Sequence, residues 1–180
     1  CGAGNTRGGN GGGRIDIAAG SILIDGTVSA NGTTAFGNQA GSGSGGSINI
    51  TTSLISGSGL LTANGGVYET GGGGGRIAIR YDTFNLPEAN IRAVGGIGNW
   101  AQGGNGTVFL KSFAQGLGDL VIDAFGQNSP TDTTPIPPGV TFDNITFRNN
   151  ARIVADSGIS ATNTIRLENG SVVTHSPSSE

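Results

Sequence analysis

Methionine is absent from this 180-residue chain, and tryptophan, cysteine, histidine and lysine occur once each. Each scarcity excludes something. One cysteine, Cys1, forms no internal disulfide and by itself holds no metal. One lysine and eight scattered arginines at a net charge of −3 give no basic face to release counterions from nucleic acid, so no nucleic-acid partner is expected. No run approaches 18 apolar residues and no charged segment leads into an apolar one, so neither membrane insertion nor an export signal is expected. Charged residues make up 12% of the chain, too few for a highly charged disordered tail. Nowhere do apolar residues recur at i, i+3, i+4 and i+7, so helical repeats are excluded.

Glycine is abundant, with 36 residues, and it is periodic. GGGRIDI (11–17), GSGGSINI (43–50), GGGGGRIAI (71–79) and GGNGTVFL (103–110) each follow glycines with an alternating apolar burst. They align Ile15, Ile48, Ile77 and Val108, then Ile17, Ile50, Ile79 and Leu110, at steps of 33, 29 and 31. A second landmark, SANG, TANG, RAVG and DAFG, places Ala30, Ala63, Ala93 and Ala124 in one column at steps of 33, 30 and 31. Two landmarks sharing one period of about 30 with strand-type alternation predict an all-β parallel β-helix, whose coils stack at ~4.8 Å. The glycine runs are read as ordered glycine-lined turns or extended segments stacked on one flank, with flexible loops of drifting composition as the alternative.

The predicted organisation is glycine-rich coils over 1–126, a proline-rich excursion or linker over 127–139, and shorter coils of about 20 residues over 140–180. In the last part NITFRNNARIV and NTIRLENGSVV overlay at a step of 20, pairing Ile145 with Ile165, Phe147 with Leu167 and Ile153 with Val173. The prolines of 127–139 cannot donate ladder hydrogen bonds.

Chemistry is sparse. No helix follows any GxGxxG match, and the phosphate-loop pattern GxxxxGK[ST] is absent. GGNGGGRID lacks the aspartate placement and the tandem nine-residue repeat of a calcium-binding β-roll, so no metal or cofactor is expected. Glycosidases need two carboxyl groups at ~5 to 9.5 Å, but Asp16 aligns with Asn49, Ala78 and Phe109, and Arg14 with Ser47, Arg76 and Thr107. No catalytic residue is assigned. Arg14 and Asp16 read as a solvated ion pair, and His175 as a solvated residue. Trp100, in GIGNWAQGG, and Tyr81, in RIAIRYD, are the candidate contacts for a glycan or a partner: an exposed indole stacks on a sugar or anchors a protein. The bland alternatives are a cover over an open core for Trp100 and a strand-end residue for Tyr81. Threonines form no coil-to-coil array of the ice-binding sort. Asn-x-Ser/Thr sequons begin at Asn31, Asn49, Asn105, Asn144 and Asn169 and matter only in a glycosylating host.

The glycine-rich coils, the GGGGGRIAI phrase and the xANGG turns resemble the repetitive regions of large bacterial cell-surface and secreted proteins: haemagglutinin-type adhesins, autotransporter passengers and related members of the pectin-lyase-like superfamily of right-handed β-helices. The resemblance covers residues 8–126 best and carries over no functional residue. It implies an extracellular or cell-surface structural or adhesive module. The alternative is a carbohydrate-active β-helix, lyase, hydrolase or glycan-binding module. Cys1 is read as a cut site, with a lipidated terminus as the alternative. The ends, HSPSSE with Pro177 among them, offer little cap. The expected partners are therefore flanking coils of a longer chain, further copies stacked end to end, and glycans.

Overall fold

The computed structural model describes residues 7–37, 39–127 and 133–176; Cys1, Pro177 and the middle of the proline-rich stretch lie outside them. The chain is an all-β solenoid of about four turns. The first coil holds β1 (Arg14–Leu23) and β2 (Thr27–Ser29), and the second holds β3 (Ser47–Ser56), β4 (Leu60–Thr62) and β5 (Tyr68–Thr70). The third holds β6 (Arg76–Tyr81), β7 (Thr83–Asn85), a single 3-10 turn (Glu88–Asn90), β8 (Ile91–Arg92) and β9 (Gly98–Ala101), and the fourth contributes β10 (Thr107–Ser112).

β1, β3, β6 and β10 pair in parallel, in the register read from the sequence. Ile15 lies beside Ile48, then Ile77 and Val108, and Ile17 beside Ile50, Ile79 and Leu110. Alternation sends these side chains to one face, where Ile48, Ile50, Ile77 and Ile79 are at most 1% exposed. The opposite wall is β2, β4 and β8, carrying Val28, Leu61 and Ile91 and, one step on, the buried Ala30, Ala63 and Ala93.

The glycine runs form the third side, and they are ordered. Inbound segments (8–13, 41–46, 71–75, 103–106) lie against outbound segments (30–34, 63–66, 93–96). The N–H groups of Gly71 and Gly74 donate to Ala101 O and Gly104 O of the next coil, each at 2.8 Å. Those of Gly72 and Gly75 donate across the coil to Gly66 O at 2.9 Å and Ala63 O at 2.7 Å. One coil earlier the alternation repeats: Ser42 and Gly45 donate to Thr70 and Gly73, Gly43 and Gly46 to Thr33 and Ala30. A hydrogen-bond period of three is that of a polyproline II-type helix, which bonds only to neighbours. No glycine of the runs takes a positive φ; close approach is what requires them. A Cβ on Gly71, Gly72, Gly74 or Gly75 would sit 1.8 to 2.2 Å from a carbonyl oxygen, whereas on Gly73 its nearest neighbour is 3.7 Å away.

After β10 the solenoid turns round. β11 (Asp119–Asp123) pairs antiparallel with β10, placing Val121 opposite Val108 and Leu120 opposite Phe109. β13 (Thr141–Arg148) and β15 (Ser160–Leu167) then follow β11 in parallel, with β12 (Thr134–Pro135), β14 (Arg152–Val154) and β16 (Val172–Thr174) as the second wall. The predicted pairs Ile145–Ile165, Phe147–Leu167 and Ile153–Val173 are all in register. Val121 belongs to the first core, but Leu120 and Ile122 point the other way, into a second core with Ile145, Phe147 and Ile153. One sheet, ordered β1-β3-β6-β10-β11-β13-β15, thus carries a core on each face. The hand of a coil is set by strand direction, by the side on which the core lies and by the direction of advance. The reversal inverts the first two and keeps the third, so both stacks wind with the same hand.

This corrects two expectations. Ala124 does not continue the column of Ala30, Ala63 and Ala93; it is buried in the second core, beyond the reversal. The change of stack also falls before residue 126, because β11 already runs with the second stack, and within 127–139 Thr134–Pro135 is a strand of that stack. A turn with two left-handed residues recurs there at Phe125–Gly126, Asn149–Asn150 and Asn169–Gly170. Asparagine and glycine tolerate that region best, which accounts for RNN and ENG.

Two pairs of variants check this architecture. Gly73→Ala is expected to be neutral or to stabilise by about 0.4–1 kcal/mol through the unfolded chain, while Gly75→Ala, driven into Gly46 O, lowers the unfolding midpoint clearly; denaturant titration of the two separates them. Ile77→Asp buries an unpaired charge and should cost several kcal/mol, whereas Ala78→Asp, on the outer face, should fold with a nearly unchanged melting temperature.

Candidate functional site

Trp100 lies in β9 at the outer edge of the glycine flank and is 67% exposed. Of its two readings, the cover over an open core does not hold, since the indole faces solvent. Tyr81 ends β6, packs against the first core and sets its ring 4.9 Å from that of Phe84. Burial pushes its phenol above the usual tyrosine range, and the charges of Asp119 and Glu88 add to this. The two aromatics stand on different sheets, Tyr81 in the eight-stranded one and Trp100 in the two-stranded pair of β5 and β9.

Arg14 and Asp16 form the exposed ion pair expected, with Nε to Oδ2 at 2.7 Å. Arg14 and, less strongly, Asn49 hold the Asp16 carboxyl below its ordinary range by hydrogen bonding. His175 is exposed, its Nδ1 hydrogen-bonded with Ser176 O at 2.8 Å. Among the described residues no three His, Cys, Asp or Glu side chains gather as a metal ion requires, and no helix is long and apolar enough to cross a membrane.

The reversal assembles a site that the coil columns do not contain. The outer face of the second stack begins where the first core ends, and the two meet in an open corner of about 280 Å³. Its wall is Glu88, from the 3-10 turn of the third coil, and its base is Leu110 and Val121. Its floor comes from successive strands: Asp119, Asn144 and Thr164 in one column, Thr146 and Arg166 in the next, then Arg148.

Arg148 ties wall to floor. Its Nε donates to Asp123 Oδ2 at 2.7 Å, and its Nη1 lies 3.3 Å from Glu88 Oε2, across 60 positions of sequence. Asp123 is 8% exposed and also accepts from Phe125 N and Asn149 Nδ2. Asp119 is engaged on both oxygens, by Asn144 on Oδ1 and by Gln115 Nε2 on Oδ2. The turn into β11 is pinned from the second stack, because Asp143 Oδ2 accepts from Leu117 N and Gly118 N. Those two bonds, Gly118 first, hold the Asp143 carboxyl below its usual range.

The carboxylates of Asp119, Asp123 and Asp143 are thus committed to arginine, amide and backbone donors, an arrangement that organises a polar surface. The sequence reading missed the corner because its columns, Asn144 with Thr164 and Thr146 with Arg166, meet Glu88, Leu110 and Asp119 only through the reversal. The only signal in the chain was the unexplained break between the 30-residue and 20-residue regimes. No protein-family model, no curated protein and no solved structure matches the chain.

Arg148 and Arg166 separate the structural from the solvated charges of this corner. Arg148→Ala strips a buried carboxylate of its cation, a change that costs up to about 3–5 kcal/mol where the pair is fully buried. The cost here should reach a good part of that. Arg166→Ala removes only a loose contact with Glu168 at 3.8 Å and should change stability by less than about 1 kcal/mol. Urea unfolding of both variants reads the difference.

Proposed function

We propose that this chain is a non-catalytic structural or adhesive module of an extracellular or bacterial cell-surface protein. The observation that carries the reading is the glycine lattice. One whole side of the first stack is backbone bonded to backbone, with two of every three positions of GGGGG closed to any side chain. Such a side offers rigidity and no chemistry. The resemblance to adhesin and passenger repeats points the same way.

Further coils or further copies are the partners the ends favour. In the last described coil Ile165, Leu167, Val172 and Val173 remain 37 to 51% exposed although each continues or flanks a buried column, and at the other end Ile15, Ile17 and Ile22 of β1 are only partly buried. Because β1 and β15 run in opposite directions with cores on opposite faces, a second copy extends β15 as a parallel coil only after a half-turn about the stack axis. Trp100, on the flank, is a contact for a glycan or a second protein.

The competing reading is a polysaccharide lyase or hydrolase. It requires a free pair of carboxyl groups, and Asp119 and Asp123 are both engaged by hydrogen bonds. Incubation with a panel of neutral and acidic polysaccharides should release neither reducing nor unsaturated sugar ends. Release that disappears on substitution of a single Asp or Glu would overturn the non-catalytic reading.

A further inference from the structure

We infer that the corner at the reversal is a binding site for neutral oligosaccharides. Its charged groups balance, Glu88 and Asp119 against Arg148 and Arg166, so the lining selects neither an anion nor a cation. Between them stand the uncharged Asn144, Thr146 and Thr164, which offer an amide and two hydroxyls. A sugar hydroxyl both donates and accepts, and its best partners are carboxylates, amides and guanidinium groups set side by side. All three occur here on neighbouring strands, at the ~4.8 Å step of the stack. Leu110 and Val121, 5% and 9% exposed, close the base of the corner.

Two further observations single out this corner. Arg166 is 65% exposed along its side chain and contacts Glu168 only at 3.8 Å, so its donors are free to turn toward a ligand. Glu88 is held by Arg148 through one contact at 3.3 Å, so part of its carboxylate can still accept. The carboxylates of Asp119 and Asp123, by contrast, are fixed in place by their bonds and keep the floor rigid. At about 280 Å³ the corner is slightly smaller than a drug-sized pocket, for which ~300 Å³ is the lower bound. It suits one or two sugar units of a longer chain lying along the open groove. The larger trough beside the outbound glycines, lined by Asn31, Asn64, Gln127 and Arg92 with Val67 and Ile97 half exposed, has no carboxylate, and its one cation is already stacked on Phe125.

The inference rests on the adhesive reading only in that the glycan is held and not cut. The test is isothermal titration of the intact chain with neutral hexasaccharides of the β-1,4-glucan, β-1,3-glucan, mannan, galactan and xylan series, and with oligogalacturonate. At least one neutral probe should bind, more tightly than oligogalacturonate. Arg166→Ala and Thr146→Val, each checked for an unchanged melting temperature, should weaken it tenfold or more, while Arg14→Ala at the far end of the molecule leaves it as it was. Absence of saturable binding by every neutral probe overturns the proposal, as does binding of oligogalacturonate alone. So does loss of binding on Trp100→Ala with both corner variants unaffected. A neutral glycan that is bound and also cleaved would keep the corner and remove the non-catalytic reading; no binding would remove the corner and leave the scaffold.

Discussion

Backbone hydrogen bonding between adjacent coils on the glycine flank is the constraint on which the first stack depends. Inbound and outbound segments approach so closely that a carbonyl oxygen occupies the space a Cβ would fill. Glycine loses more conformational freedom on folding than any other residue, and the compensation is a three-residue rhythm of N–H donors satisfied alternately along and across the stack. Where the lattice ends, the requirement lapses. Thr33 stands where later coils have Gly66 and Gly96, and among the described residues no earlier coil lies over it. Asn105 replaces the equivalents of Gly45 and Gly74, because the fourth coil has no outbound segment opposite. Its side chain instead accepts from Gly95 N.

The reversal solves a second problem, the exposed end of a solenoid, which repeat proteins meet with capping units. Each stack here caps the other. Val121 and the Arg148–Glu88–Asp123 group lie over the end of the first core. Phe125 meets the Arg92 guanidinium at 4.9 Å beside β8. In return Phe109, on the outer face of the first stack, stands 6.3 Å from Phe142 at the start of the second core. A cap made by turning the coil round has a by-product: two surfaces built to face solvent meet at an angle. Residues that any single stack would hold far apart then share a corner.

The spacing of the chain determined the columns. Ile15 to Val108, Ile17 to Leu110 and Ile145 to Ile165 could be aligned because a parallel coil places each residue beside its own repeat, so local alternation and a single period suffice. The ordering of GGGGG at one phase of the repeat was legible for the same reason. Strand direction was not: alternation at two reads identically along a strand and against it, so Asp119–Asp123 was counted with the coils before it and Ala124 with the wrong column. Tertiary structure alone decided that Asp143 would pin the turn, that the core would change faces, and that Glu88 would meet Arg148. Those contacts join separate parts of the chain through the reversal, and a pairing that follows no period leaves no mark in the sequence.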